Sequence, residues 1–141
     1  MSRHLDAESA LPTTSRHRLL YTRATSFIDT HLGSADLTPS AVAAAHHISL
    51  RYLQHVFQQH GTTVSEAIRR QRLHRCRRDL ADPGMRHHTI RVIAARWGMP
   101  RPAEFSRAFR AATGTSPSRY RAQHLPPTAD EQAPASEGAQ R

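Results

Sequence analysis

The chain has no lysine, one cysteine, few carboxylates and no long apolar run, and each shortage narrows what it can be. A lone Cys76 excludes an intramolecular disulfide framework and fits a reducing compartment. No apolar stretch approaches the roughly 20 residues that cross a bilayer, and the first residues lack the apolar core of a signal peptide. The expectation is a cytoplasmic chain with no membrane partner. Acidic residues number only 11, and there is no phosphate-binding glycine loop, nucleophile elbow or His-Glu-x-x-His spacing. The sequence is therefore not read as an enzyme, and no cofactor is expected. Eleven histidines include the pairs His46-His47 and His87-His88. Adjacent histidines point in different directions on a helix and no cysteine pair accompanies them, so no metal site is predicted.

What is present is arginine. All 20 basic residues are arginines, and the net charge of +9 favours an anionic partner. The planar guanidinium binds phosphate or guanine through two hydrogen bonds at once. With 141 residues there is room for one domain, or for two very small ones.

Breakers divide the middle of the chain into about seven helices and leave no convincing strand, an all-α pattern. Residues 1–17 read as a disordered polar tail broken by Pro12-Thr13-Thr14-Ser15, and residues 125–141 as a second, locally acidic one. Leu20, Ala24, Phe27, Ile28 and Leu32 form an apolar stripe, with Gly33 as its C-terminal cap. Thr38-Pro39 opens a short helix ending near His46, and Ser49 caps the next, to about His60. Thr63-Val64-Ser65-Glu66 matches a capping box at the head of a longer helix that Asp82-Pro83-Gly84 stops. Thr89, Pro102 and Pro117 start three more, the last reaching Tyr120.

Two segments repeat one theme. Val42-Ala43-Ala44-Ala45-His46-His47-Ile48-Ser49 leads to Leu53, Val56 and Phe57, and Ile93-Ala94-Ala95-Arg96-Trp97-Gly98-Met99 leads to Phe105, Ala108 and Phe109. Small residues let paired helices approach closely, as a helix-turn-helix requires. His47 holds a position where glycine is common in such turns, and histidine is among the residues enriched at positive φ. The second turn is one residue longer, since Ile48 to Leu53 is five steps and Met99 to Phe105 is six.

Periodicity then sorts the faces. With Leu53, Val56 and Phe57 inward, Arg51, Gln54, His55 and Gln58 face outward; Gln54 suits adenine and Arg51 suits guanine. Ser49, as N-cap beside free backbone amides, marks a phosphate site. With Phe105, Ala108 and Phe109 inward, Ala103, Arg107 and Arg110 face outward and Glu104 lies at the edge. Arg107 suits guanine, Ala103 a thymine methyl and Glu104 the cytosine amino group. The arginines of the central helix, Arg72 among them, and Arg101 and Arg110 are candidates for phosphate contact. Cys76 and Trp97 read as packing residues. A central helix of about 18 residues spans roughly 27 Å, enough to set two reading heads about one DNA turn apart.

The run from Gly98 through Met99-Pro100-Arg101-Pro102-Ala103-Glu104-Phe105-Ser106-Arg107-Ala108-Phe109-Arg110 to Gly114-Thr115-Ser116-Pro117-Ser118-Arg119-Tyr120-Arg121 resembles the C-terminal signature of AraC/XylS-type transcription regulators. Ile48-Ser49-Leu50-Arg51-Tyr52-Leu53-Gln54-His55-Val56-Phe57 is similar to that family's first recognition helix, and Arg72-Leu73 with Arg77-Arg78-Asp79-Leu80 to its linker helix. The resemblance covers residues 18–124. It implies two homeodomain-like helix-turn-helix units, about 38–60 and 89–113, joined by a linker helix at about 64–81. It also implies binding to double-stranded promoter DNA, usually to activate transcription; RNA polymerase is the further partner considered, through protein contact. By position, the family's base contacts fall on Arg51, Gln54 and His55 and on Ala103, Glu104 and Arg107. Met99 replaces a usual phenylalanine, Cys76 a usual alanine, and Glu104 stands where a neutral or cationic side chain is commoner. Most members carry a second, larger domain. With about 17 polar residues before the first helix, the chain is either a short stand-alone member or a piece of a longer regulator, and no effector is predicted.

The leading expectation is a sequence-specific regulator, an activator, that reads two successive major-groove segments as a monomer. The alternatives are a nonspecific or architectural nucleic-acid binder driven by charge, and a truncated regulator acting through a protein partner.

Overall fold

Seven α-helices and one 3-10 turn, with no strand among the described residues, make up residues 12–128 of the computed structural model. Contacts divide the chain into two units, with the boundary at Gln71–Arg72. Unit 1 holds α1 (Thr13–Thr30), α2 (Pro39–Ala45) and α3 (Leu50–Gln59); α4 (Val64–Leu80) runs through the boundary; unit 2 holds α5 (Ile90–Arg96), α6 (Pro102–Thr113) and α7 (Pro117–His124). The all-α expectation holds.

In unit 1, α2 begins where the Thr38 hydroxyl accepts from the Ala41 amide at 3.1 Å, with Pro39 in the first turn. Its Val42 and Ala43 are buried, as are Leu53, Val56 and Phe57 of α3. Helix α1 closes this core along one stripe: Ala24 and Ile28 are buried, and Tyr21 packs its ring on Phe57 (4.9 Å between centroids) and stacks on His60 (3.8 Å). The stripe continues back to His17, which is also buried.

Three expectations for this region are corrected. Helix α1 already begins at Thr13, so residues 13–17 are helical rather than tail, and His17 belongs to the packed face. Residues 1–11 of the expected tail lie outside the described residues. Gly33 is not the cap of α1; the helix ends at Thr30 with His31 in the cap position, and no positive φ occurs there. At the head of α4, Thr63 accepts from the Glu66 amide at 3.0 Å as a capping box requires, while the Glu66 carboxylate accepts from the Thr62 hydroxyl at 3.3 Å.

In unit 2, Leu73, Cys76 and Leu80 of α4 pack with Ile93 and Ala94 of α5 and Phe105 and Phe109 of α6. The last helix runs to His124, beyond Tyr120, and its Arg121 ties down the loop before α5. That guanidinium donates to the carbonyls of Met85 and His88 at 2.6 Å and of Arg86 at 3.0 Å. The start of the expected second tail is also held. Leu125 is buried, and Arg86 donates to the Pro126 carbonyl at 3.0 Å. Residues 129–141 lie outside the described residues.

Both units use one turn. In unit 1, His47 takes φ +55° and the Ile48 amide bonds back to the Ala43 carbonyl at 3.1 Å. In unit 2, Gly98 takes φ +82° and the Met99 amide bonds back to the Ala94 carbonyl at 2.9 Å. This is the left-handed helix end in which a 6→1 bond satisfies an orphan carbonyl. The two positions differ in what a side chain would meet. A Cβ at Gly98 would lie 2.7 Å from the Arg72 guanidinium.

That difference is measurable by chemical denaturation. Gly98→Ala adds left-handed strain and displaces Arg72, and is expected to cost about 2 kcal/mol. In an Arg72→Ala background the cost should fall to about 1 kcal/mol, the backbone strain alone. His47→Gly relieves strain and is expected to raise stability by up to about 1 kcal/mol.

Cys76 yields a pH prediction. Burial, and then the nearby Asp79 carboxylate, push its thiol up from its ordinary value of 9.0 to about 12, against a lowering from Arg72. Between these values the unfolded chain has released a proton that the native chain still holds, so raising the pH favours unfolding. The thiol's contribution to stability is full below pH 9 and is lost as the pH rises toward 12, so over that range the wild type should lose stability more steeply than Cys76→Ala. Equal slopes for the two proteins would contradict the thiol's burial.

Candidate nucleic-acid interface

An α-helix with one apolar stripe has an opposite face that only solvent or a ligand can cover. In α3 the apolar side is filled by Leu53, Val56 and Phe57, which are wholly buried. Arg51, Gln54, His55 and Gln58 are all exposed. Ser49 caps the helix by accepting from the Tyr52 amide at 3.1 Å. Its hydroxyl is thereby used within the protein, while the other amides of the first turn point out of the helix end, where an anion is favoured.

In α6 the buried residues are Phe105 and Phe109, and Ala103, Glu104, Arg107 and Arg110 are exposed. Its start is built differently. Arg101 holds the N-cap position without a side-chain cap bond, and Pro102 occupies the first turn. Arg101 instead pairs with Glu104 at 3.2 Å across an exposed surface. Such a pair is weak in water and yields readily to a competing phosphate. Glu104 also sits in the first turn, where a negative charge complements the helix dipole. That gives it a role in the free protein beside the cytosine contact expected of it.

The expected residues thus fall on two outward faces, one per unit, with two placed differently. Arg72 is half-buried, its guanidinium against Gly98, and burial pulls it below its ordinary value. There its guanidinium packs on the second turn. His55 lies at the margin of its face, where its Nε2 meets Gln59 Nε2 at 3.2 Å. Trp97 donates its indole N–H to Asp79 at 2.7 Å, with Arg75 over the ring at 5.4 Å, which binds the second turn to α4.

Sequence reasoning misses His17 and Gln59, which join at 2.6 Å. Only the His55-to-Gln59 spacing of four residues is a local signal; His17 is 42 residues from Gln59, beyond any helical pattern. Among the described residues, no three His, Cys, Asp or Glu side chains are grouped to hold a metal, and no helix is long and apolar enough to cross a membrane.

Comparison with known proteins agrees with this architecture. Residues 42–123 match the model of a helix-turn-helix domain family. The transcriptional activator NphR of Rhodococcus is 34% identical over 103 residues, which cover 73% of this chain and 30% of its own length. The chain spans less than half the length of the curated relatives it matches. Among solved structures, the C-terminal domain of AraT, a response regulator from Geobacillus stearothermophilus, superposes with a TM-score of 0.70 at 28% identity, over 78% of this chain and 89% of that one. A transcriptional regulator with an AraC-type DNA-binding domain from Chromobacterium violaceum also gives 0.70, at 26% identity, over 79% and 96%. Two helix-turn-helix units on matching left-handed turns, with this family match across both, show that the chain belongs to the AraC-type family of DNA-binding transcription regulators.

Proposed function

We propose that the chain is a sequence-specific, non-enzymatic activator that reads double-stranded promoter DNA with α3 and α6, each in its own major-groove segment. The observation that carries this is the sorting of side chains on the two helices. Each has a buried apolar stripe, a left-handed turn behind it, and an outward face whose residues are long or charged hydrogen-bonders except at Ala103. On α3, Arg51 and Gln54 read bases and Gln58 and the Ser49 end meet phosphate. On α6, Arg107 reads guanine, with Ala103 and Glu104 beside it, and Arg101 and Arg110 meet phosphate. Activation is inferred from the Rhodococcus relative, which bears that description. RNA polymerase is the further partner this role implies, and the chain binds as a monomer.

The test is selection of bound duplexes from a random pool at near-physiological salt with excess competitor. Two short blocks, centred about 10 base pairs apart, are expected. Arg51→Ala, Gln54→Ala and Arg107→Ala should each cost about 1–3 kcal/mol on the selected site and relax one base pair. Equal affinity for unrelated duplexes, collapsing as salt rises, would replace this reading with nonspecific binding through arginine charge.

A further inference from the structure

His17 is a polar ring inside an apolar stripe. It lies in α1, only 9% exposed, in line with Tyr21, Ala24 and Ile28. A buried polar group in that position is held by what it bonds. Its Nδ1 is 2.6 Å from Gln59 Oε1, and the same carboxamide reaches on through Nε2 to His55 Nε2 at 3.2 Å. The His17 ring also stands edge-on to Tyr52 (centroids 5.6 Å apart, planes at 65°) and to His55 (5.7 Å, 84°). Tyr52, His55 and Gln59 recur at helical spacing and form one flank of α3. That flank borders the face carrying Arg51, Gln54 and Gln58, and His55 belongs to both.

A carboxamide offers an acceptor at one end and donors at the other. With Oε1 toward His17, the His17 Nδ1–H donates to it, and the amide N–H donates to His55 Nε2. His55 then carries its proton on Nδ1. With the amide reversed, both roles reverse together. In either orientation one ring donates to Gln59 and the other accepts, so the tautomer of His55 is tied to that of His17. The perpendicular ring contact fixes the plane of His55 as well.

We propose that His17 is a positioning residue for base reading: with Gln59 Oε1 turned to the His17 Nδ1–H, as the structure places it, the two residues hold His55 as the Nδ1–H tautomer, so that His55 enters the groove as a hydrogen-bond donor through Nδ1. A donor at that point selects guanine N7 or O6, adenine N7 or thymine O4, and rejects the amino groups of cytosine and adenine. A freely turning histidine, able to donate or accept, would discriminate less. This rests on the reading proposed above, in which α3 lies in the major groove.

Two readouts on the full chain test it. The first needs no DNA. Long-range proton–nitrogen NMR of the imidazoles should show His55 as the Nδ1–H tautomer in the wild type and as a mixture in His17→Phe, which keeps the ring packing but not the hydrogen bond. The second is duplex selection and competition. His55→Ala identifies the base pair that His55 reads, with a preference of about tenfold expected in the wild type. His17→Phe should flatten the preference at that pair alone, leaving intact the pairs that Arg51→Ala and Gln54→Ala relax.

A mixed His55 tautomer in the wild type overturns the role of His17 without touching the two-headed reading. So does a His17→Phe protein that keeps the preference at that pair, or loses it equally at every pair read by α3. A wild type that selects no sequence sinks the two-headed reading itself, and with it any reading role for His55. If His17→Phe does not fold, Gln59→Leu, at the exposed end of α3, breaks the same chain of bonds and carries the same outcomes.

Discussion

The aim of each recognition helix depends on a single backbone hydrogen bond that doubles back over a left-handed residue. In unit 1 it runs from Ile48 to Ala43 and in unit 2 from Met99 to Ala94. The bond ends one helix and turns the chain so that the next presents its apolar stripe to the core. Everything that α3 and α6 offer to a ligand follows from that geometry, because the outward face is whatever the stripe leaves over. The small residues before each turn, Ala43 with its neighbours and Ala94 with Ala95, let the paired helices come close enough for the turn to close. Histidine tolerates the left-handed conformation in open surroundings. Glycine fits best where the Arg72 guanidinium lies against the backbone, since any side chain there must move it.

From that common frame the units diverge, and the divergence lies around the recognition helices rather than in them. α3 starts with a serine cap and is flanked by α1 through His17, Tyr21 and their aromatic partners. α6 starts one residue later after its turn, without a side-chain cap, beside the Arg101–Glu104 pair. Its turn is held instead from α4, by Arg72 beneath Gly98 and by Asp79 on the Trp97 indole. One head is supported by a neighbouring helix, the other by arginine and carboxylate chemistry on the helix before it.

Much of this was legible in the sequence because local chemistry dictates it. Thr38, Ser49 and Thr89 cap helices by bonding backbone amides three residues on, and Pro39, Pro102 and Pro117 stand in first turns; no tertiary information is needed to place them. The outward positions of Arg51, Gln54 and Arg107 follow from periodicity against Leu53, Phe57 and Phe105 in the same way. What was hidden is tertiary. Counting only apolar residues stops the stripe of α1 at Leu20, whereas the packed face extends to His17 because an imidazole with a partner 42 residues away can be buried. Gly33 invites a cap, but a glycine marks a left-handed position only when the chain turns there. Leu125, after the last helix, looks like the start of a tail until the Arg86 bond to the next carbonyl is seen.

The Arg121 clamp has a consequence at the level of the gene. Its guanidinium gathers three carbonyls of the loop that leads into α5, so the start of the second helix-turn-helix is fastened by a residue of the last helix. A reading frame interrupted between Gly114 and Arg121 would still encode every side chain of both recognition helices. Its product would nonetheless lose the fastening. Natural selection, or an engineer trimming the chain, therefore sees the coding sequence for α7 as part of the second helix-turn-helix unit, though it lies beyond the last residue of α6.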